Sequence, residues 1–427
     1  MRGTPADGGE LGRRDGHVAA ESSDRRGCDL HLPDQRSRAL PADHPDGAPH
    51  PLRRGRAIVT TDTNDAVAAV DAARRIHAES RLDGVLSSCD YYLPLAAEIA
   101  AELGLPGPRP EAVGVACDKR RTRDRLDRAG IPGPRHRLVP LDDEAGLVSA
   151  VEHVGFPLVV KPTDLCAGMF VRRADGWAEV AAAAAELRRF EVNARGQWRE
   201  PVVLLEEYLV GPEFSVESWV RGGEIHTVGV TDKSLGGASG FVETGHMFPA
   251  RLDAADRAGL VSSAESAIRA VGLDHGVVHT ELRLTGAGPR IIEINPRPAG
   301  NQITELIRHV EGIDLPRVAV ELALGRDPST AGGDDTGGRP RSAAVQMLVP
   351  DRVGVLDRID GASGVAAHPA IAAVDFKQPG HRVTVGADNN SYLGSVLVTS
   401  DEPTGARPIA EQLMATISVG YREESAP

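Results

Sequence analysis

The stretch Val277–Pro298, VVHTELRLTGAGPRIIEINPRP, consists of two apolar-alternating runs around a glycine-rich turn, the pattern of a β-hairpin. With the turn centred on Ala287, Glu281 faces Glu293 and His279 faces Asn295, because the members of each pair are equidistant from it. Period-two alternation then sets these four on one face and Leu282, Leu284, Ile292 and Ile294 on the other. Two directly opposed carboxylates repel, so the arrangement makes sense chiefly with a cation between them. Oxygen ligands with an amide alongside suit Mg²⁺, which keeps waters and phosphate oxygens in the rest of its shell. The bland alternative is an acidic face turned to solvent.

A cation site of this kind calls for phosphate-binding groups elsewhere in the chain. FPLVVKP (156–162) is a short apolar run that reaches Lys161 and leads into TDLCAG, which ends at Gly168. It reads as a strand, a lysine and a small-residue loop whose backbone N–H groups can cap phosphate oxygens. No GxxxxGK[ST] occurs, so this is not a Walker loop. Lys119 opens the basic turn of CDKRRTRDRL (117–126), which by itself reads as a solvated helix face. VVLLEEYLVGPEFSV (202–216) is a strand, two acids, a Gly-Pro turn and a second strand. The exposed backbone at such a turn can read an adenine edge, with Glu206 and Glu213 accepting hydrogen bonds from the adenine amino region and the ribose.

Taken in order, these motifs resemble the ATP-grasp superfamily over about Val113–Asp327. The resemblance implies that Glu206, Tyr208 and Leu209 border adenine and that Glu213 holds ribose. It makes Lys119 and Lys161 the phosphate-contacting lysines and the loop through Gly168 the lid, shorter here than the usual GxGSxG. Glu281, Glu293 and Asn295 match the metal ligands, for one or two Mg²⁺ ions with Mn²⁺ as a substitute, and Arg297 matches the arginine that steadies the reactive phosphate or acyl phosphate. Within the superfamily, FVETGHMFPA (241–250), EINPRPAGNQI (293–303), AAVQMLVPDRVGVL (343–356) and FKQPGHRV (376–383) resemble carboxylate-amine ligases of the biotin-carboxylase-like branch, L-amino acid ligases above all. There His246, Arg297 and Asn301 are expected at the substrate. The activity so implied is amide formation from a carboxylate and an amine, both small molecules and most naturally amino acids, through an acyl phosphate, with ADP and phosphate released. The alternatives are a carboxylase-type or purine-pathway enzyme, or a nucleotide-binding protein without turnover.

Composition agrees with that expectation. A net charge of −13 argues against broad nucleic-acid binding. The four cysteines show no CxxC or metal-ligand spacing, so they read as reduced thiols of a cytoplasmic protein. No apolar run approaches the about 18 residues of a membrane helix, and the N-terminus carries no apolar signal core. Relatives are often dimers, so a homodimer is one expected assembly.

The expected architecture is α/β and α+β, an ATP-grasp fold between a parallel-sheet (pre-ATP-grasp) N-terminal domain and a small α+β C-terminal domain. Residues 1–56 lack a run of aliphatic residues for a central strand and read as a disordered extension, or as shifted-frame translation of a high-GC coding sequence. Residues 57–112 form an N-terminal domain short of its first strand. In it, Ala57–Ile76 and Asp83–Gly107 each read as strand then helix. The ATP-grasp domain occupies 113–328, the Gly-rich acidic stretch 329–341 is a linker, and 342–427 form the C-terminal domain. Further helices are expected in Ala112–Leu138, Asp142–His153, Ala178–Phe190, Leu252–Val271, Ile303–Leu324 and Pro408–Thr416.

Overall fold

The computed structural model describes residues 31–33, 57–59, 61–237, 240–328, 338–383, 389 and 391–422. Of the extension expected up to Arg56, only β1 (His31–Pro33) is among them. It pairs in parallel with β2 (Ala57–Val59), so a strand stands where the sequence reading placed none. A three-residue ladder needs no long aliphatic run. After β2, Asp65 caps the helix Ala66–Glu79 by accepting from the N–H of Ala68. The strand expected at the start of Asp83–Gly107 does not form: residues 81–88 join no ladder, and a 3₁₀ turn, Asp90–Tyr92, leads into the helix Leu93–Glu102.

Two sheets build the centre. The smaller has four strands: β3 (His136–Pro140), β4 (Leu158–Pro162), β5 (Arg172–Ala174) and β6 (Val202–Glu207), in the order β3-β6-β4-β5. Helices Glu144–Val154 and Trp177–Arg189 cover one face, burying Leu147, Val154, Val180 and Leu187 against Val139, Leu158, Val160 and Val203. The larger contains β7 (Glu213–Arg221), β8 (Glu224–Gly236), β9 (Val242–Phe248), β10 (His275–Thr285) and β11 (Gly288–Asn295). Against its back lies the helix Ala254–Val271, whose Leu260, Ala264, Ala267 and Ile268 meet Val216, Val230, Val278 and Leu282. Each fully buried leucine, isoleucine or valine side chain here contributes roughly 1.5–3 kcal/mol.

The C-terminal segment does not stand apart as a separate layer. Its strands β12 (Ser342–Leu348), β14 (Ile371–Phe376) and β16 (Gly394–Ser400) extend the larger sheet, giving eight strands in the order β11-β10-β7-β8-β9-β12-β16-β14. A second small sheet, β15-β13-β17, is made from β13 (Gly354–Asp360), β15 (Arg382–Val383) and β17 (Ser418–Arg422). Most of the expected linker lies outside the described residues. The single helix expected over Ile303–Leu324 is two, Ile303–Glu311 and Leu315–Ala323. Gly312 adopts φ 69° between them and Asp314 caps the second by accepting from the N–H of Arg317.

Candidate functional site

The hairpin that opened the sequence reading has the expected pairing at its functional end. Glu281 is opposite Glu293 and His279 opposite Asn295. Between Glu281 and Leu282 the register shifts, so Leu282 meets Ile291 and the turn closes between Thr285 and Gly288. The extra residue is Ile292. Placed by simple mirror symmetry on the apolar face, it instead lines the cavity, while Ile291 is fully buried in its stead.

The cavity, about 350 Å³, lies between the smaller and the larger sheet and is closed at one side by the 3₁₀ turn Asp90–Tyr92. Lys119, Lys161, Gly168, Glu206, Tyr208, Leu209, Glu213, Glu281, Glu293, Asn295, Arg297 and Asn301 all line it, although they come from across the central chain. The hinge between the sheets, residues 208–212, links β6 to β7 and contributes Tyr208 and Leu209. Gly211 has φ 147° there, and a Cβ would collide with the carbonyl oxygen of Leu284. The loop after β4 turns at Gly168, φ 68°, and passes beside Asn389 of the C-terminal segment.

Each cavity carboxylate is matched to a cation. Lys119 stands at the start of the helix Lys119–Arg128, with Asp118 capping it, and its Nζ is 2.9 Å from Glu293 Oε1 while donating to the Leu165 carbonyl at 2.8 Å. Burial works to lower the Lys119 pKa, but the Glu293 carboxylate outweighs it and raises the group above its ordinary value. Lys161 Nζ lies 2.6 Å from Glu206 Oε2, and Arg123 Nε donates to Glu206 Oε1 at 2.6 Å. Burial would raise the Glu206 pKa; Arg123 and Lys161 together pull it down to about 2. For Lys161 burial prevails, aided by Arg123 and Lys119, and its pKa is lowered. Arg297 Nε donates to Asp90 Oδ1 at 2.6 Å, which ties the N-terminal domain to the cavity wall.

Three residues central to this electrostatics were not singled out from sequence. Lys233, on β8, is 4% exposed and lies under three acids, 2.7 Å from Glu281, 3.1 Å from Glu243 and 3.3 Å from Glu213. Burial opposes the Lys233 charge, yet the acids drive its pKa well up. Arg123 sits one turn beyond Lys119 and is 2% exposed, so the basic helix is not simply a solvated face. Its i, i+4 spacing from Lys119 was the available signal. Glu243 lines the cavity and accepts from Asn301 Nδ2 at 2.6 Å.

His246, expected at the substrate, does not line the cavity. A register shift between Ser234 and Leu235 sets it opposite Lys233, and its side chain is fully buried with Nε2 3.1 Å from Glu243 Oε2. It supports Glu243 from behind. His279 bridges Glu217 at 2.8 Å and Glu281 at 3.1 Å; burial lowers its pKa, but the two acids carry it to about 9.

The fit to a divalent cation follows from the donors present. Among the described residues no three His, Cys, Asp or Glu side chains form a ready metal cage; the set is two carboxylates and one amide facing a cavity. Such a partial shell suits Mg²⁺, which relies on water and phosphate for the remainder. The Lys119 and Lys233 ammonium groups already stand against Glu293 and Glu281 as stand-in cations. Burial alone would raise the Glu281 pKa, but Lys233 and His279 hold it well below the usual carboxylate range, so the carboxylate stays ionised.

Comparison with known proteins accounts for most of the chain. Residues 21–107 match the ATP-grasp N-terminal domain, 154–305 the ATP-grasp domain, and 346–422 the L-amino acid ligase C-terminal domain 2. The N-terminal match thus begins inside the stretch expected to be an irregular extension. Carnosine synthase 1 of Homo sapiens is 33% identical over 263 residues, 58% of this chain and 31% of that protein. Alanine–anticapsin ligase of Bacillus subtilis is 27% identical over 272 residues, 59% of this chain and 56% of that one. The chain therefore spans about a third of the former and little more than half of the latter. In fold, it resembles an L-amino acid ligase from Bacillus licheniformis, with a TM-score of 0.78 at 23% identity over 95% of this chain and 96% of that one. No helix among the described residues is long and apolar enough to cross a membrane.

Proposed function

Since the chain belongs to the ATP-grasp superfamily and ends in the C-terminal domain of L-amino acid ligases, we propose that it joins a carboxylate to an amine at the expense of ATP. One observation carries the reading: a single cavity holds two opposed acids, an amide, two lysines and an arginine, and its wall includes Lys377, Asn389 and Tyr392 of the ligase-type C-terminal domain. The named relatives, a carnosine synthase and an alanine–anticapsin ligase, point to amino acids as the carboxylate and amine.

In this reading adenine rests at the hinge by Tyr208 and Leu209, the ribose by Glu213, and the triphosphate runs toward Glu281 and Glu293. Glu281, Glu293 and Asn295 would hold Mg²⁺, which supplies charge neutralisation of the phosphates. A carboxylate oxygen of the first substrate attacks the γ-phosphorus and ADP leaves. The amine nitrogen then attacks the acyl carbon of the acyl phosphate, phosphate departs, and the amine gives up its proton. The protein forms no bond itself; it positions reactants and spreads charge through Lys119, Lys161 and Arg297.

The test is phosphate release by the purified protein with ATP, Mg²⁺ and a panel of amino acids, with products identified by mass spectrometry. Amide product and phosphate should appear together and only when a carboxylate and an amine are both present. Arg297→Ala should lower turnover by about 10²-fold or more, as loss of a transition-state donor does, without unfolding the protein. Turnover driven by bicarbonate would favour a carboxylase, and ATP binding without turnover in any mixture would refute the ligase.

A further inference from the structure

Between the helix Trp177–Arg189 and β6 the chain makes a small hairpin, closed by the bridge Val192↔Trp198. Asn193 stiffens it: its Oδ1 accepts from the N–H groups of Arg195 at 2.9 Å and Gln197 at 3.1 Å, and its Nδ2 donates to Gln197 Oε1 at 2.8 Å. The tip docks on the N-terminal domain, where Asn64 Nδ2 donates to the Arg195 carbonyl at 2.8 Å. The backbone of Arg195 is thus held from both sides, and its side chain lines the cavity.

This guanidinium differs from other cations that line the cavity. Lys119, Lys161, Arg283 and Arg297 each face a carboxylate, at 2.9, 2.6, 3.2 and 2.6 Å. Arg195 is in no ion pair among the described residues, and its Nε is buried with no hydrogen-bond partner. A buried guanidinium edge of that kind is suited to a planar anion from the ligand. Its location narrows which anion. Burial pushes the adjoining Cys89 thiol up in pKa while the charge of Arg195 and its hydrogen bond to that thiol pull against it, and Cys89 directly precedes Asp90, the partner of Arg297. Arg195 therefore stands at the wall shared with the N-terminal domain, beside the reactive end, and not at the nucleotide hinge. The phosphates already have Lys119, Lys161 and Arg297. If the amine substrate is an amino acid, one charged group takes no part in the reaction and needs a partner: its own α-carboxylate.

We propose that Arg195 binds the free carboxylate of the amine substrate and so makes the enzyme choose amino acids over uncharged amines; the proposal rests on the ligase reading. The experiment compares each accepted amino acid with its α-amide as amine donor, measuring kcat and KM from phosphate release and product mass. Arg195→Ala should lower kcat/KM for the free amino acid by about 10- to 100-fold, the worth of a charged hydrogen bond. The loss should come through KM, with the amide used as before. Arg195→Lys should recover part of it, and the thermal midpoints of both variants should match the parent. An equal fall with acid and amide would make Arg195 a phosphate contact and overturn the assignment, as would unchanged selectivity. A parent protein that binds ATP but uses no amine would overturn the ligase reading, and this one with it.

Discussion

Lys233 illustrates how one buried charge can organise a cluster of acids. It sits within 3.3 Å of Glu213, Glu243 and Glu281, three acids that line the cavity from three different strands. Removing it leaves three buried carboxylates facing one another. Lys233→Met should therefore cost about 3–5 kcal/mol, the usual penalty for orphaning a buried charge, read as a fall in the urea midpoint. An unchanged midpoint would mean the acids do not depend on it. Glu206 makes a different prediction, in acid. Its folded pKa, about 2, lies below the ordinary carboxylate value, so its contribution is complete above about pH 4.5 and is lost as pH falls toward 2. That contribution is at most about 3 kcal/mol, less whatever the lowered pKa of Lys161 takes back. Glu206→Gln should flatten the acid limb of a plot of stability against pH. At this scale the acids of the hairpin were legible, although the count from Ala287 reaches the right pairs only because the one-residue bulge at Ile292 offsets a turn that closes between Thr285 and Gly288. Lys233 was not, because its three acids lie on three other strands and only the sheet brings them together.

The hairpin β10–β11 depends on a single inserted residue. Because the bulge absorbs Ile292, Ile291 and Ile294, three positions apart, both point into the core while Glu293 and Asn295 keep facing the cavity. Deleting Ile292 would make Ile291 and Glu293 neighbours and restore a regular ladder with every face kept, but it removes a cavity-lining side chain and the carbonyl that accepts from Arg123 Nη2 at 2.7 Å. The deletion should reduce ATP turnover by about 10-fold or more, the worth of the charged hydrogen bond that Arg123 loses, while far-ultraviolet circular dichroism stays close to the parent. Retained turnover would show that the bulge is incidental. The strand itself was readable from alternation, but the bulge was not: Ile291 and Ile292 are equally apolar, so hydropathy cannot say which is inside. The same ambiguity at β9 exchanged His246 for Glu243, because a second bulge shifts the alternation just where both polar residues stand.

Across the whole molecule, the C-terminal segment is stitched to the site by polar contacts as well as by the sheet. Tyr392 Oη donates to the Glu243 carbonyl at 2.7 Å, and Asn389 Oδ1 accepts from the Glu243 N–H at 3.0 Å. These bonds fix the strand that presents Glu243, and they touch none of the hinge residues 208–212. Tyr392→Phe should raise KM for the carboxylate or amine by about 3- to 10-fold, the worth of one neutral hydrogen bond, with ATP affinity unchanged. A matching loss of ATP affinity would contradict this division of labour. The order of the three regions was legible from punctuation and motif wording. Sheet continuity was not, because antiparallel neighbours such as β9 and β12 are separated by nearly a hundred residues, and nothing in their local pattern names the partner.

That continuity limits how the protein can be re-engineered. Ala343–Gln346 zips onto Gly245–Phe248, next to the very segment that carries Glu243. Grafting a relative's tail onto this body would thus import a foreign seam, unless the donor's version of β9 travelled with it as part of the same cassette.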